Sequence, residues 1–282
     1  MMGANLPAIE SVGVSQVGVV REDNQDAIRL SLPEPELEAG RGYLYAVADG
    51  MGGYAHGGVA SALAREKFFD AFYSGGAGPT PQALRRGVED ANLAIYQTAQ
   101  RLKAGRMGTT LTAVAICGRR LHLAHVGDSR AYLIRGGRAK CLTTDHTRVG
   151  ELVRMKVLTS DKVRTHAQRS ILTKCVGLEL FVQPDIQELT LCEDDRLILC
   201  SDGVWSVIED DEFAHCAQLD GGAGAVSQRL IDLALERRSD DNVSVVVVYV
   251  HAFSAAPEPR QRGLWPDILL RLKRSYGRSS GL

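Results

Sequence analysis

Four apolar, strand-like runs in this chain each carry an aspartate at one end, and no other feature restricts the fold as strongly. Tyr43 to Ala48 runs into Asp49-Gly50, and Leu197 to Cys200 passes through Ser201 into Asp202-Gly203. His122 to Val126 leads to Gly127-Asp128-Ser129-Arg130, while Asp241-Asn242 opens Val243 to Val250. A carboxylate immediately outside a buried strand sits at a sheet rim, and four on one rim repel one another unless cations hold them. The pattern predicts a sheet-based fold with a metal site along one edge.

The remaining strand and helix signals set the class. Ser11 to Val20 and Ala27 to Leu32 mix apolar and polar residues like half-buried strands, and 33–42, with two prolines and two glycines, reads as a loop. Apolar spacing predicts an amphipathic helix over Gly57 to Tyr73 and a second from Pro81 to about Lys103. A dense β block, Leu111 to Cys117, Leu121 to Val126, Ala131 to Arg135 and Ala139 to Leu142, has tight turns that predict an antiparallel meander. Residues 147–180 are mixed and polar, with helical patches around Glu151 to Lys156 and Gln168 to Val176, and suit a mobile flap as well as packed helix. Ile186 to Leu191 reads as a strand, and Asp210 to Gln218 and Ala223 to Arg237 read as helices before the final strand. Strands arriving in two blocks with helices between them fit antiparallel α+β layers better than alternating parallel units.

A chain of 282 residues, 45% hydrophobic and 24% charged, is long enough for one large domain with a sizeable core. A net charge of −1 argues against a protein that coats nucleic acid, so an anionic substrate must be met locally. Six cysteines lack any Cys-x-x-Cys pair and mostly lie in apolar runs, which suits reduced, buried thiols better than zinc or disulfides. Met1 to Glu10 shows no leader pattern and no apolar run is long enough to span a bilayer, making the cytoplasm the default location. Residues 254–282 form a separate tail. It carries six basic and two acidic residues, leaving the remainder near −5, and Trp265, Ile268, Leu269 and Leu272 make it a basic amphipathic segment. It could pack on its own domain or touch a membrane surface or a partner.

All-oxygen carboxylate sites select hard cations such as magnesium or manganese. Glycine beside an aspartate lets the backbone turn sharply and its carbonyl approach an ion. Two ions sharing a carboxylate would lower the pKa of a water between them and clamp phosphoryl oxygens, giving hydrolysis without a protein nucleophile. Arg21, heading Arg21-Glu22-Asp23-Asn24-Gln25-Asp26, offers the planar cation that grips phosphate oxygens in bidentate fashion.

The ordered series Arg21-x-x-Asn24-Gln25-Asp26, Asp49-Gly50-Met51-Gly52-Gly53, Gly108-Thr109-Thr110, Val126-Gly127-Asp128-Ser129-Arg130, Asp145-His146, Ser201-Asp202-Gly203 and Asp241-Asn242 resembles the bacterial branch of the protein phosphatase 2C family. These are metal-dependent serine/threonine phosphatases, and the resemblance runs from about residue 11 to 251. It implies a four-layer α-β-β-α sandwich of two antiparallel sheets flanked by helices over residues 1–253, with a flap at about 145–180. It also implies a binuclear manganese or magnesium centre. By motif, Asp49 would bridge both ions, Gly50 would supply a carbonyl, and Asp202 and Asp241 would complete one ion's shell. Asp26 would support the second ion, partly through water. A weaker third ion would lie between Asp128 and Asp202, and Arg21 would hold the substrate phosphate.

The chain departs from the family pattern at several points. Gln25 replaces a usual glutamate and removes one outer negative charge. Met51 and Tyr54 leave the general acid unassigned, with His56 close in sequence. Ala167 and Lys174 replace a usual proline and arginine at the closing end of the flap. Asp145 and His146 are expected to fix their loop by hydrogen bonds. The implied activity is hydrolysis of phosphoserine and phosphothreonine in phosphorylated proteins, opposing a cognate kinase. Ser170 to Gly177 resembles phosphatases paired with kinases and forkhead-associated proteins of type VI secretion. A phosphoprotein-binding module without turnover is the competing reading, against which every expected inner aspartate is present. A nuclease would need a basic, aromatic groove that the sequence lacks.

Overall fold

The computed structural model describes residues 7–31, 41–51, 56–74 and 78–253. The tail at 254–282, together with Gly52, Gly53 and Tyr54, lies outside the described residues.

Besides a short 3-10 helix at Ser160–Lys162, eleven strands and six α-helices are described. In chain order they are β1 (Pro7–Gln16), β2 (Asp26–Leu30), β3 (Tyr43–Met51), α1 (His56–Ser74), α2 (Thr80–Leu102), β4 (Gly108–Thr109), β5 (Leu111–Cys117) and β6 (Arg120–Val126). There follow β7 (Arg130–Arg135), β8 (Arg138–Cys141), α3 (Arg148–Arg154), β9 (Asp185–Thr190), β10 (Arg196–Cys200), α4 (Asp202–Trp205), α5 (Asp210–Cys216), α6 (Gly222–Glu236) and β11 (Val243–Phe253). One sheet has the order β1-β11-β10-β7-β8; the other runs β2-β3-β5-β6-β9, with β4 paired to β3. All the pairings are antiparallel.

Side-chain alternation along the central strands explains the layering. Val246, Val248 and Val250 of β11 meet Tyr45, Val47, Val114 and Leu123 of the other sheet in a core between the two sheets. Val245, Val247 and Tyr249 point the other way, onto Phe213, Val226, Leu230 and Ile231 of α5 and α6. On the opposite outer face, Leu44, Ala46, Ala113 and Ala115 lie under Phe68, Phe69 and Phe72 of α1 and Leu84 and Val88 of α2. Each of those phenylalanines is essentially fully buried, and Phe68→Ala would cost about 3–5 kcal/mol. Strands apolar on both faces are what two sheets, each capped by helices, require. The four-layer α-β-β-α sandwich is therefore present.

Three local expectations are corrected. The block Gly108 to Thr143 is not one meander: β5 and β6 pair in one sheet, whereas β7 and β8 pair in the other. The chain crosses between sheets at Gly127-Asp128-Ser129, where Gly127 adopts φ +108°. The first strand spans Pro7–Gln16 and residues 18–20 are turn, since Gly18 at φ +83° folds the chain against the Asp241 carbonyl. Residues 168–176 are not helical. Their backbone groups are taken by bridges from Leu172 to Thr147 and from Val176 to Thr109, and by Thr173 N–H donating to the His146 carbonyl at 2.8 Å.

All six cysteines are free thiols; Cys175, Cys200 and Cys216 are buried, whereas Cys192 is exposed. Among the described residues no helix is long and apolar enough to cross a membrane.

Candidate metal centre

The aspartates meet at one end of the sandwich because strand direction brings their termini there. Asp26 opens β2 and lies directly opposite Asp49 near the end of β3. β10 runs through Ser201 into Asp202, the first residue of α4, and Asp241 closely precedes the start of β11. Asp128 sits in the crossover between sheets. A cleft of about 790 Å³ is lined by Arg21, Asp49, Gly50, Asp128, Asp202 and Asp241, with Met51, Thr110, Ser170 and Leu172 among its further walls. Asp26 sits behind that lining, its Oδ2 accepting from Ser201 Oγ at 2.8 Å.

Backbone hydrogen bonds fix the presenting loops. Asp49 N–H donates to Thr110 Oγ1 at 2.9 Å, and the Asp49 carbonyl accepts from Thr109 Oγ1 and Thr110 N–H, both at 2.8 Å. Asn242 joins the β1–β2 turn to β11: its Nδ2 donates to the Val17 and Asp23 carbonyls, and its Oδ1 accepts from Gln25 N–H at 2.9 Å. The Gly50 backbone is so tightly enclosed that a Cβ there would lie 2.2 Å from the Gly57 carbonyl oxygen. Only glycine permits that approach of α1 to the end of β3.

The carboxylates destabilise one another. Burial, with Asp202 and Asp241 adding repulsion, lifts Asp26 to about 7 against its hydroxyl hydrogen bonds. Burial and Asp241 lift Asp202 to about 6. Asp49 and Asp128 are also raised, by burial first and then by their acidic neighbours. Asp26 Oδ1 and Asp202 Oδ1 are buried without a hydrogen-bond partner. Orphaned, mutually repelling oxygens with no soft donor among them fit a hard divalent cation.

As arranged, the side chains are turned to protein partners. Arg21 Nη2 donates to Asp241 Oδ2 at 2.7 Å, Ser201 Oγ donates to Asp26 Oδ2, and among the described residues no three His, Cys, Asp or Glu side chains form a ready coordination group. Ion binding would therefore exchange these contacts for cation–oxygen bonds.

Comparison with known proteins assigns the architecture. The family model for protein phosphatase 2C matches residues 20–230. The serine/threonine protein phosphatase PstP of Mycobacterium tuberculosis is 37% identical over 238 residues, covering 84% of this chain and 44% of PstP. The chain belongs to the protein phosphatase 2C family. Protein phosphatase PhpP of Streptococcus pneumoniae is 32% identical over 238 residues, covering 83% of this chain and 95% of PhpP. The chain thus spans less than half the length of PstP but nearly the whole length of PhpP. A crystal structure of the PstP catalytic domain in complex with two manganese ions superposes with a TM-score of 0.75 at 32% identity, covering 86% of this chain and 98% of that one.

Within this phosphatase 2C fold, every residue singled out as a ligand from the sequence stands at the one rim. Asp145 and His146 are buried just beneath it. Asp145 accepts from Arg130 Nε and Nη2 at 3.0 and 2.7 Å, and His146 Nδ1 accepts from Gly127 N–H at 3.0 Å. His56 starts α1. Sequence reasoning missed the supporting hydrogen bonds of Ser201, Asn242 and Thr110, and that of Trp205, whose Nε1 donates to the Asp128 carbonyl. Ser201 and Asn242 adjoin aspartates, and that adjacency was the available signal; the hydrogen bonds of Thr110 and Trp205 join segments far apart in the chain.

Proposed function

We propose that this chain is a metal-dependent protein serine/threonine phosphatase that hydrolyses phosphoserine and phosphothreonine in phosphorylated proteins and opposes a cognate kinase. The observation that carries the reading is the convergence of repelling, partly unpartnered aspartates on one cleft. Family membership and the manganese-containing relative support it.

Asp49, Gly50 through its carbonyl, Asp202 and Asp241 would hold two ions, manganese or magnesium, with Asp26 supporting one of them and Asp128 with Asp202 holding a weaker third. Bound there, the ions would supply Lewis acidity and lower the pKa of a water to the neutral range. Arg21 would leave Asp241 to grip the phosphate, placing the phosphorus for in-line attack and offsetting charge on its oxygens. Thr110, Asn242 and Ser201 would hold the aspartates in place by the hydrogen bonds above, limiting reorganisation.

The phosphatase domain is taken as residues 1–253, with 145–180 as its flap and 254–282 as a tail able to touch a membrane or a partner. A cytoplasmic location and a forkhead-associated partner complete the proposal; the latter rests on Ser170 to Gly177. The deciding experiment measures manganese-dependent phosphate release from a phosphothreonine peptide. Release that vanishes in Asp49→Ala and Asp202→Ala is expected. Peptide binding without any release would favour a binding module instead.

A further inference from the structure

Asp202 and Trp205 are the first and last residues of α4, a single helical turn. The Trp205 indole is 1% exposed, and its Nε1 donates to the Asp128 carbonyl at 2.8 Å. One short element therefore bears the Asp202 carboxylate at its start and grips the Asp128 backbone at its end.

Trp205 is held from two further directions, once at its ring and once at its backbone. The Arg130 guanidinium lies 3.6 Å from the ring centroid and is itself fixed by both Asp145 oxygens and by donation to the Tyr132 hydroxyl at 3.2 Å. Arg164 Nε donates to the Trp205 carbonyl at 2.9 Å. A cation on an aromatic face, desolvated and hydrogen-bonded on its rim, resists displacement. Trp205 can neither tilt nor translate without breaking one of these contacts. On the other side of Asp128, Gly127 is fixed by donation to His146 Nδ1 and by acceptance from His146 N–H at 2.7 Å. Both flanks of the Asp128 loop are thus tied to buried groups, and the Trp205 tie connects it to the element carrying Asp202.

We infer that Trp205 is a positioning residue that sets the spacing of the Asp128 and Asp202 carboxylates and thereby the affinity of the weakest divalent ion they share. The inference rests on the metal-centre reading above. Partners that orient metal-binding groups influence affinity nearly as much as the ligands themselves. Loss of one buried hydrogen bond of this kind corresponds to about five- to tenfold in binding.

The test is calorimetric titration of the full chain with manganese. Trp205→Phe keeps an aromatic face for Arg130 and removes the donor. The weakest binding step should loosen by about five- to tenfold while the tighter steps stay within about twofold, and Asp128→Asn should lose the weakest step altogether. A folded Trp205→Phe protein that binds manganese like the unsubstituted chain at every step would overturn the inference. A second measurement does not depend on that variant folding. The chain holds two tryptophans, Trp205 and Trp265, so Trp265→Phe leaves Trp205 as the sole emitter. Its emission should change over the concentrations that fill the weakest step; an unchanged signal there overturns the inference. Absence of any manganese binding by the unsubstituted chain would remove the metal-centre reading itself, a distinguishable result.

Discussion

Arg21 Nη2 stands 2.7 Å from Asp241 Oδ2, and Arg21 Nε donates to the Asp240 carbonyl at 3.2 Å, although 220 residues separate the paired side chains. The same guanidinium is the candidate grip for substrate phosphate and the counter-ion of a candidate ligand. It cannot serve both partners at full strength, so phosphate and metal binding are linked through it.

Arg21→Ala should therefore divide the two effects. KM for a phosphothreonine peptide should rise about tenfold or more with loss of a bidentate donor. Manganese affinity should tighten by no more than about fivefold, because the arginine side chain is 54% exposed and such pairs are worth up to about 1 kcal/mol. Peptide kinetics and calorimetry check the two halves. An unchanged KM would remove Arg21 from phosphate recognition.

His125 makes acid sensitivity a property of the core. Its Nδ1 lies 2.9 Å from Thr112 Oγ1 and its Nε2 3.1 Å from the Thr144 carbonyl, and its ring stacks on His146 at 4.8 Å. Burial, with the neighbouring His146 adding, pushes its pKa down to about 3. Between about pH 6.5 and 3 the unfolded chain binds the proton and the folded chain does not, so this group's contribution is full above that window and falls as pH drops. The limiting slope is about 1.4 kcal/mol per pH unit. His125→Gln should be less stable at pH 7.5, yet lose less stability between pH 7 and 5 than the unsubstituted protein. Parallel urea midpoints for the two proteins across that range would refute the assignment.

Legibility in the sequence followed the range of the interactions. Strand-end aspartates, valine-rich β11 and the phenylalanine face of α1 are local patterns, so antiparallel α+β layering and the rim could be read directly, while the four-layer order was what the family resemblance implied. The crossing at Gly127 could not, because tight β turns look alike whether the next strand joins the same sheet or its neighbour. The segment 168–176 carries helix-compatible residues, but bridges to Thr147 and Thr109 override local preference. Trp205 on Asp128 and Arg21 on Asp241 are contacts between segments far apart in the chain, which no spacing rule reveals.

The crossing also gives a stability prediction. A Cβ on Gly127 would sit 2.6 Å from Thr110 Cβ and Cγ2, at a φ of +108° that a side chain rarely adopts. Gly127→Ala should cost about 2–4 kcal/mol. The Thr110 that is displaced also holds Asp49 N–H and Ser129 Oγ, so manganese affinity should weaken as well. Urea denaturation and calorimetry measure both, and a loss below about 1 kcal/mol would mean that the crossover relaxes freely.

The repulsion among the aspartates predicts an opposition between stability and activity. Asp49 is raised by burial and by Asp26, Asp202, Asp128 and Asp241, so its charged form destabilises the fold unless cations are bound. Asp49→Asn removes that charge, and its amide offers a donor to the carboxylates that now repel Asp49. In chelator, the variant should melt about 2–4 °C higher than the unsubstituted protein, the change expected for about 1 kcal/mol in a domain of this size. The sign also fixes the pH dependence. A carboxyl whose folded pKa is raised stabilises the fold at low pH and loses that contribution as pH rises, so the advantage of the amide should be larger at pH 7.5 than at pH 5. Manganese should restore the unsubstituted protein above the variant, while phosphate release by the variant falls by about a hundredfold or more. Thermal melts with chelator and with manganese, at both pH values, test this directly. If the Asp49→Asn variant melts below the unsubstituted chain in chelator and still gains as much from manganese, repulsion at Asp49 is not what cations relieve.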